Sequence, residues 1–350
     1  MIAYNLEFHN VDHLERVSGM SGLRLERFPE HFKRELGISD NHNGQFRAKR
    51  AHGCEIRFVT EAKYFDIGLT AVEADVDIVV YYGDMMHSGY TLKAGVCSVI
   101  HVEYPEIYKQ ADVKRLPKGR FAPYVWRVQF GMNGYIYFHY LDTFGYEHRP
   151  PLAEEKPEVL WAAYGSSITC GSVTMLYSNS YIEQAALHLG YDVMNKGLSG
   201  SCMCEPAAAD YLASLKADVL SLELGVNMLI PFEKDEFESR VRYLLQKVLQ
   251  ESPAKKIFVI DIFRNRGPLL TDRSDPQYRN YFVFKEIVKR LAGEMKDDRV
   301  TAIDGHDIAA DETCLSTDLL HPSDNGHILM GRNLAERMKG ENGYGPKEII

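Results

Sequence analysis

The sequence predicts an α/β protein in two parts, an antiparallel β-sandwich followed by a doubly wound parallel sheet. Three observations predict it. From about Ala51 to Leu141, short stretches rich in Val, Ile, Tyr and Phe alternate with period two, and no long helical pattern interrupts them. Around Arg149–Pro157 the chain reads "RPPLAEEKP", three prolines among charged and small residues, which marks a linker. Beyond it, short apolar runs alternate with amphipathic helical patterns, the order that builds a parallel sheet. The expected domains are therefore residues 1–150 and 158–340. A chain of 350 residues agrees with two, at ~100–200 residues each.

In the first part the strands are carried by "CEIRFVTEA", "FDIGLTAVEADVDIVVYYG", "GVCSVIHVEY" and "WRVQFGMNGYIYFHYLD". Gly-containing turns at Tyr82–Asp84 and Gly131–Gly134 separate several of them. "SGLRLERFPEHFKREL" holds a strand and a short helix. In the second part the strands are expected at 159–164, 191–195, 218–223, 256–262 and 299–304. Helices are expected at about 180–189, 207–215, 235–250 and 278–292, with a last one from Ser323. Ligands in such sheets bind beyond the carboxyl ends of the strands.

Composition narrows the function. A net charge of -9 argues against nucleic acid and against an anionic membrane surface, both of which want a basic partner. No apolar run reaches the ~20 residues of a spanning helix, and the first residues lack an apolar signal core, so the expected compartment is the cytoplasm. The six cysteines form no CxxC pair, so reduced thiols and no zinc site are expected.

Four polar clusters sit at the expected strand ends. "GSSITCG" follows strand 159–164 and presents a serine near backbone N–H groups. "NKGLSGS", Asn195–Ser201, has two glycines that let the backbone aim an N–H at a ligand. "ELGVNM", Glu223–Met228, offers an asparagine amide that can donate to a developing oxyanion. In "STDLLHPSDNGH", Ser316–His327, Asp318 and His321 stand three apart, so one turn brings both to the same side. A carboxylate there can hold the imidazole tautomer that a general base needs.

In this order, at successive strand ends, the clusters resemble those of the SGNH hydrolases, also called GDSL-like esterases. The resemblance spans about Val159 to Met338 and implies a flavodoxin-like hydrolase domain. It implies Ser167 as nucleophile, in "GSSIT" where many members have "GDSIT". It further implies Gly200, Asn227 and the Ser167 N–H as an oxyanion hole, His321 as base and Asp318 as its orienting carboxylate. Two positions depart from the family pattern, Ser166 for the Asp of "GDS" and Met228 for the Asp that often follows the Asn. The domain order and the form "YGSSIT" are similar to the family-two carbohydrate esterases, whose N-terminal domain is a jelly-roll-like sandwich.

The expected activity is a serine esterase removing small acyl groups, acetyl first, from a small-molecule or oligosaccharide ester, without cofactor or metal. The alternatives are a lipase or thioesterase for longer chains, and a non-catalytic carbohydrate-binding protein. A homo-oligomer is allowed. Ser166, Ser316 and Cys170 are rival nucleophiles. Arg264 and Met228 are tentative substrate contacts, with Arg266 beside the former. His306 and His327 read as structural histidines rather than metal ligands. The aromatics of Gly134–Tyr146 divide between sandwich core and a sugar-stacking platform.

Overall fold

The computed structural model describes residues 1–38, 41–111 and 115–340. It divides into two compact units. The first comprises Met1–Pro29 and Ala48–Glu158, the second Glu30–Arg47 and the chain from Val159 onward.

The first unit is a pair of antiparallel sheets. Its strands are β1 (Ile2–Ala3), β2 (Leu6–His9), β3 (His13–Glu15), β4 (Leu23–Glu26), β5 (Glu55–Thr60), β6 (Tyr64–Val72), β7 (Val76–Tyr82), β8 (Met85–Leu92), β9 (Cys97–Glu103), β10 (Trp126–Phe130), β11 (Tyr135–Asp142) and β12 (His148–Arg149). One sheet runs β1-β2-β5-β10-β7-β8 with β12 added on β5, and the other β3-β4-β11-β6-β9. The alternation read from the sequence is what packs them. In β6, Phe65, Ile67 and Leu69 are buried, while Tyr64 and Asp66 turn outward. They meet Phe8, Ile56 and Phe58 of the facing sheet in one core, with Trp126 edge-on to Phe65 at 5.1 Å. Each such side chain contributes ~1.5–3 kcal/mol on burial.

The proline-rich stretch is pinned rather than loose. Arg149 grips Glu155 through both carboxylate oxygens at 2.7 and 2.8 Å, and the Ala122 N–H donates to the Glu155 carbonyl.

The second unit holds β13 (Leu160–Tyr164), β14 (Asp192–Asn195), β15 (Val219–Glu223), β16 (Lys256–Ile260) and β17 (Val300–Ile303), all parallel, in the order β14-β13-β15-β16-β17. This is the doubly wound, flavodoxin-like order, and its switch point lies beside β13. The helices after Val159 begin with a short one at Ser167–Cys170 and continue with Tyr181–Leu189, Pro206–Ser214, Lys234–Glu251, Pro276–Glu294, Gly305–Ile308 and Asp324–Lys339. Local chemistry sets several of their ends. Asp275 accepts the Gln277 N–H ahead of Pro276, and Ser323 accepts the Gly326 N–H at the start of the last helix.

The excursion Glu30–Arg47 differs from the expected first domain. It carries the short helices Glu30–Arg34 and Asn43–Arg47 and packs on the second unit. Phe32 stacks on Tyr211 at 4.8 Å, and the Gly37 N–H donates to Glu205 Oε1 at 3.2 Å. No helix among the described residues is long and apolar enough to cross a membrane.

Candidate active site

The loop after β13 carries Ser167 through a tight, heavily bonded turn. Ser166 is fully buried and extended, and its Oγ accepts the Ile168 N–H at 3.1 Å, capping the short helix that Ser167 opens. Ser166 is thereby committed as a cap. The Ser167 N–H, first in that helix, has no intrahelical acceptor. Cys170 lies fully buried behind the turn and donates its N–H to the Ser166 carbonyl.

Ser167 Oγ stands 2.8 Å from His321 Nε2, and His321 Nδ1 stands 2.6 Å from Asp318 Oδ2. The loop that brings them is a closed turn. Ser316 and His321 are joined by a backbone bond of 2.8 Å, and Leu319 donates to the Ser316 carbonyl. Asp318 Oδ1 accepts three donors, the N–H groups of Leu320 and His321 and the hydroxyl of Ser316. Burial pushes the Asp318 carboxyl up, but the His321 ring and these donors outweigh it and hold the group well below the usual carboxylate range. Asp318 is therefore ionised and placed to orient His321. Ser316 serves that carboxylate.

The two neighbouring loops are knitted to the serine turn. Leu198 donates to the Gly165 carbonyl at 2.8 Å, which ties the loop after β14 to the Ser167 turn. Gly200 has φ +64°, a left-handed backbone that favours glycine, and open space around it. Asn227 Oδ1 accepts the Cys202 N–H at 3.1 Å, which fixes the amide flip and directs Nδ2 elsewhere as a donor. The excursion also reaches this loop, since a Cβ at Gly44 would lie 3.4 Å from Ser201 Cβ. Its sequence carries no catalytic motif.

The structure also places the remaining expected contacts. Met228 is fully buried and presents no surface to a ligand. Arg264 is tied back by the Ala309 carbonyl at 3.0 Å and Glu312 at 3.4 Å. Arg266 acts through its backbone, donating to the Leu319 carbonyl at 2.6 Å and so bracing the His321 loop. His327 is a satisfied core histidine. Its Nδ1 accepts the Tyr181 N–H, its Nε2 faces the Ser172 carbonyl at 2.9 Å, and burial lowers it to about 4. His306 meets the Tyr281 hydroxyl at 2.6 Å.

One residue escaped the motif reading. Glu223, at the end of β15, lies fully buried beneath the Ser167 turn, and its Oε2 accepts the Ser166 N–H at 2.6 Å and the Thr169 hydroxyl at 3.1 Å. Burial raises its carboxyl to about 7 against the pull of those donors. The signal was present, as a buried carboxylate closing a strand that is apolar but for Ser221.

The geometry defines the class, an α/β protein in which a serine, a histidine and a carboxylate line up by the doubly wound sheet, at the end where such folds place their ligands. The family follows from the sequence profile of the GDSL-like lipase/acylhydrolase family, which matches residues 156–338, just over half of the chain, so the chain belongs to that family of ester hydrolases. No curated protein is significantly similar in sequence. Among solved structures, the salicylyl-acyltransferase SsfX3 of a tetracycline biosynthetic pathway superposes with TM-score 0.79 at 16% identity, covering 96% of this chain and 94% of that one. A family-two carbohydrate esterase from Clostridium thermocellum gives TM-score 0.60 at 16% identity over 83% and 94% of the two chains. The acetyl xylan esterase Est2A from Butyrivibrio proteoclasticus gives 0.53 at 13% identity over 83% and 90%.

Proposed function

We propose that the chain is a serine esterase that removes small acyl groups, acetyl first, from carbohydrate esters. The observation that carries it is the relay from Ser167 Oγ to His321 at 2.8 Å and on to Asp318 at 2.6 Å. His321 takes the serine proton as Oγ attacks the ester carbonyl, and Asp318 stabilises the imidazolium that forms. The oxyanion is received by the N–H groups of Ser167 and Gly200 and by the Asn227 amide. His321 returns the proton to the departing alcohol, and water then cleaves the acyl-enzyme by the reverse path.

The acetyl and carbohydrate assignments draw support from the two esterase neighbours. In the first unit, Tyr64, Tyr140 and Phe144 are exposed, and Tyr64 and Phe144 meet edge to face at 4.8 Å. Such rings suit stacking on a pyranose, and this face is the unit's proposed carbohydrate contact. A second reading, transfer of the acyl group to an alcohol other than water, is favoured by the likeness to an acyltransferase over nearly the whole chain.

The test is hydrolysis of 4-nitrophenyl acetate, butyrate and octanoate by wild type and Ser167→Ala, followed by acetate release from acetylated oligosaccharides. Fast acetate turnover, falling with chain length and lost in the variant, is expected. Unchanged turnover in Ser167→Ala would overturn the assignment, and octanoate as the best substrate would replace the deacetylase by a lipase. A product ester formed from an added alcohol would favour acyl transfer.

A further inference from the structure

We infer that Glu223 is a positioning residue for the nucleophile, clamping the peptide plane that precedes the Ser166–Ser167 pair. The inference rests on Ser167 being the nucleophile, as proposed above.

The clamp has two jaws. The carbonyl of the Gly165–Ser166 peptide accepts the Leu198 N–H at 2.8 Å, and the N–H of the same peptide donates to Glu223 Oε2 at 2.6 Å. With both ends of the plane held, the orientation of the next peptide, and with it the Ser167 N–H, is constrained. The same carboxylate oxygen accepts the Thr169 hydroxyl at 3.1 Å, one turn further on, so a single atom grips the loop on either side of Ser167. Thr169 is in turn bonded to the Tyr181 hydroxyl at 2.7 Å, which anchors the grip to the helix Tyr181–Leu189.

Two features argue that this is more than packing. A carboxyl group is expensive to bury, and Glu223 has no cationic partner among the described residues. Its second oxygen, Oε1, is buried without a hydrogen-bond partner among the described residues. An apolar residue would fill β15 at lower cost, so the acid is explained by the donors that it collects. Gly165 is shaped for the same contact. A Cβ there would meet Thr169 Oγ1 first and would lie 2.5 Å from Glu223 Oε2 and 2.9 Å from Glu223 Cβ, so only glycine leaves room for the hydroxyl and the carboxylate that hold the turn. The glycine that opens "GSSIT" thus serves the clamp through close approach.

The experiment compares kcat and KM for 4-nitrophenyl acetate in wild type and in Glu223→Gln, Glu223→Leu, Thr169→Val, Gly165→Ala and Ser167→Ala, with thermal melts confirming folding. Glu223→Gln keeps a carbonyl acceptor for the Ser166 N–H and should stay within about fivefold of wild-type kcat. Glu223→Leu and Gly165→Ala should each lose about 10²-fold in kcat with KM within about threefold, the penalty of a reacting group displaced by ~1 Å. Thr169→Val should fall between them. A folded Glu223→Leu protein with wild-type kcat would overturn the clamp while leaving the esterase standing. If Glu223→Leu does not fold, wild-type kcat in Gly165→Ala overturns it equally. Loss in KM rather than kcat would also overturn it. Turnover surviving in Ser167→Ala would overturn the esterase reading, and the clamp with it.

Discussion

Glu223 offers a sharp test of the electrostatics beneath the site. Glu223→Gln replaces the carboxyl by an amide that never ionises. Burial lifts the Glu223 carboxyl from its ordinary value of 4.5 to about 7. Its titratable neighbours are silent in that window. Burial raises both the Tyr181 hydroxyl and the Cys202 thiol well above their ordinary values. For an acid whose folded value is raised, the folded state holds more protons than the unfolded chain between the two values, so stability falls as pH rises from 4.5 to about 7 and then levels. At ~1.4 kcal/mol per pH unit, the wild type should lose about 2 to 3 kcal/mol relative to Glu223→Gln between pH 5 and pH 8. The assay is urea unfolding of both proteins at the two pH values in a Trp126→Phe background. The chain has two tryptophans, and Trp161 in β13 then reports on the second unit alone. All other titrations cancel in the difference. A wild-type-to-Gln difference that does not change with pH would refute the buried, raised carboxyl.

Three further outcomes are expected. Asp318→Asn should lower kcat by about 10³–10⁴ with little change in KM, because the amide favours the wrong His321 tautomer; kinetics on 4-nitrophenyl acetate check it. The stability that ionised Asp318 contributes is present above its unfolded value of ~3.9 and lost as pH falls toward its depressed folded value. Asn227→Ala should cost about 10²–10³ in kcat with the melting temperature nearly unchanged, since the side chain's bond to Cys202 is its one structural duty among those described. Ser166→Ala should destabilise by about 1 kcal/mol through the lost cap yet keep turnover, which separates it from Ser167→Ala in one pair of melts and rates.

Much of this architecture is legible in the chain because it is written in local periodicity. The five parallel strands lie where short apolar runs stop at a glycine or at a polar or acidic residue, Gly165, Asn195, Glu223, Asp261 and Asp304, and the helix expected at about 278–292 runs from Pro276 to Glu294, where Asp275 and Pro276 start it. Ser167 stands in a short motif directly after β13, and the three-residue spacing of Asp318 and His321 closes within a single turn. Side-chain direction is less legible, because position on a loop does not say which way a side chain points: Met228 is fully buried, and Arg264 bonds the Ala309 carbonyl.

The sequence by itself determined the order of elements, the sheet class and the residue types at the strand ends, because backbone periodicity, capping and turn chemistry act over a few residues. Only the tertiary structure decided that Glu30–Arg47 joins the second unit, that Ser166 caps a helix while Ser167 faces His321, and that Glu223 reaches under the turn to the Ser166 N–H. Those facts depend on contacts between residues 54 to 168 positions apart, apart from the cap itself, and no local preference encodes such a distance. They are set by which buried donors and acceptors must find one another once the apolar faces have closed.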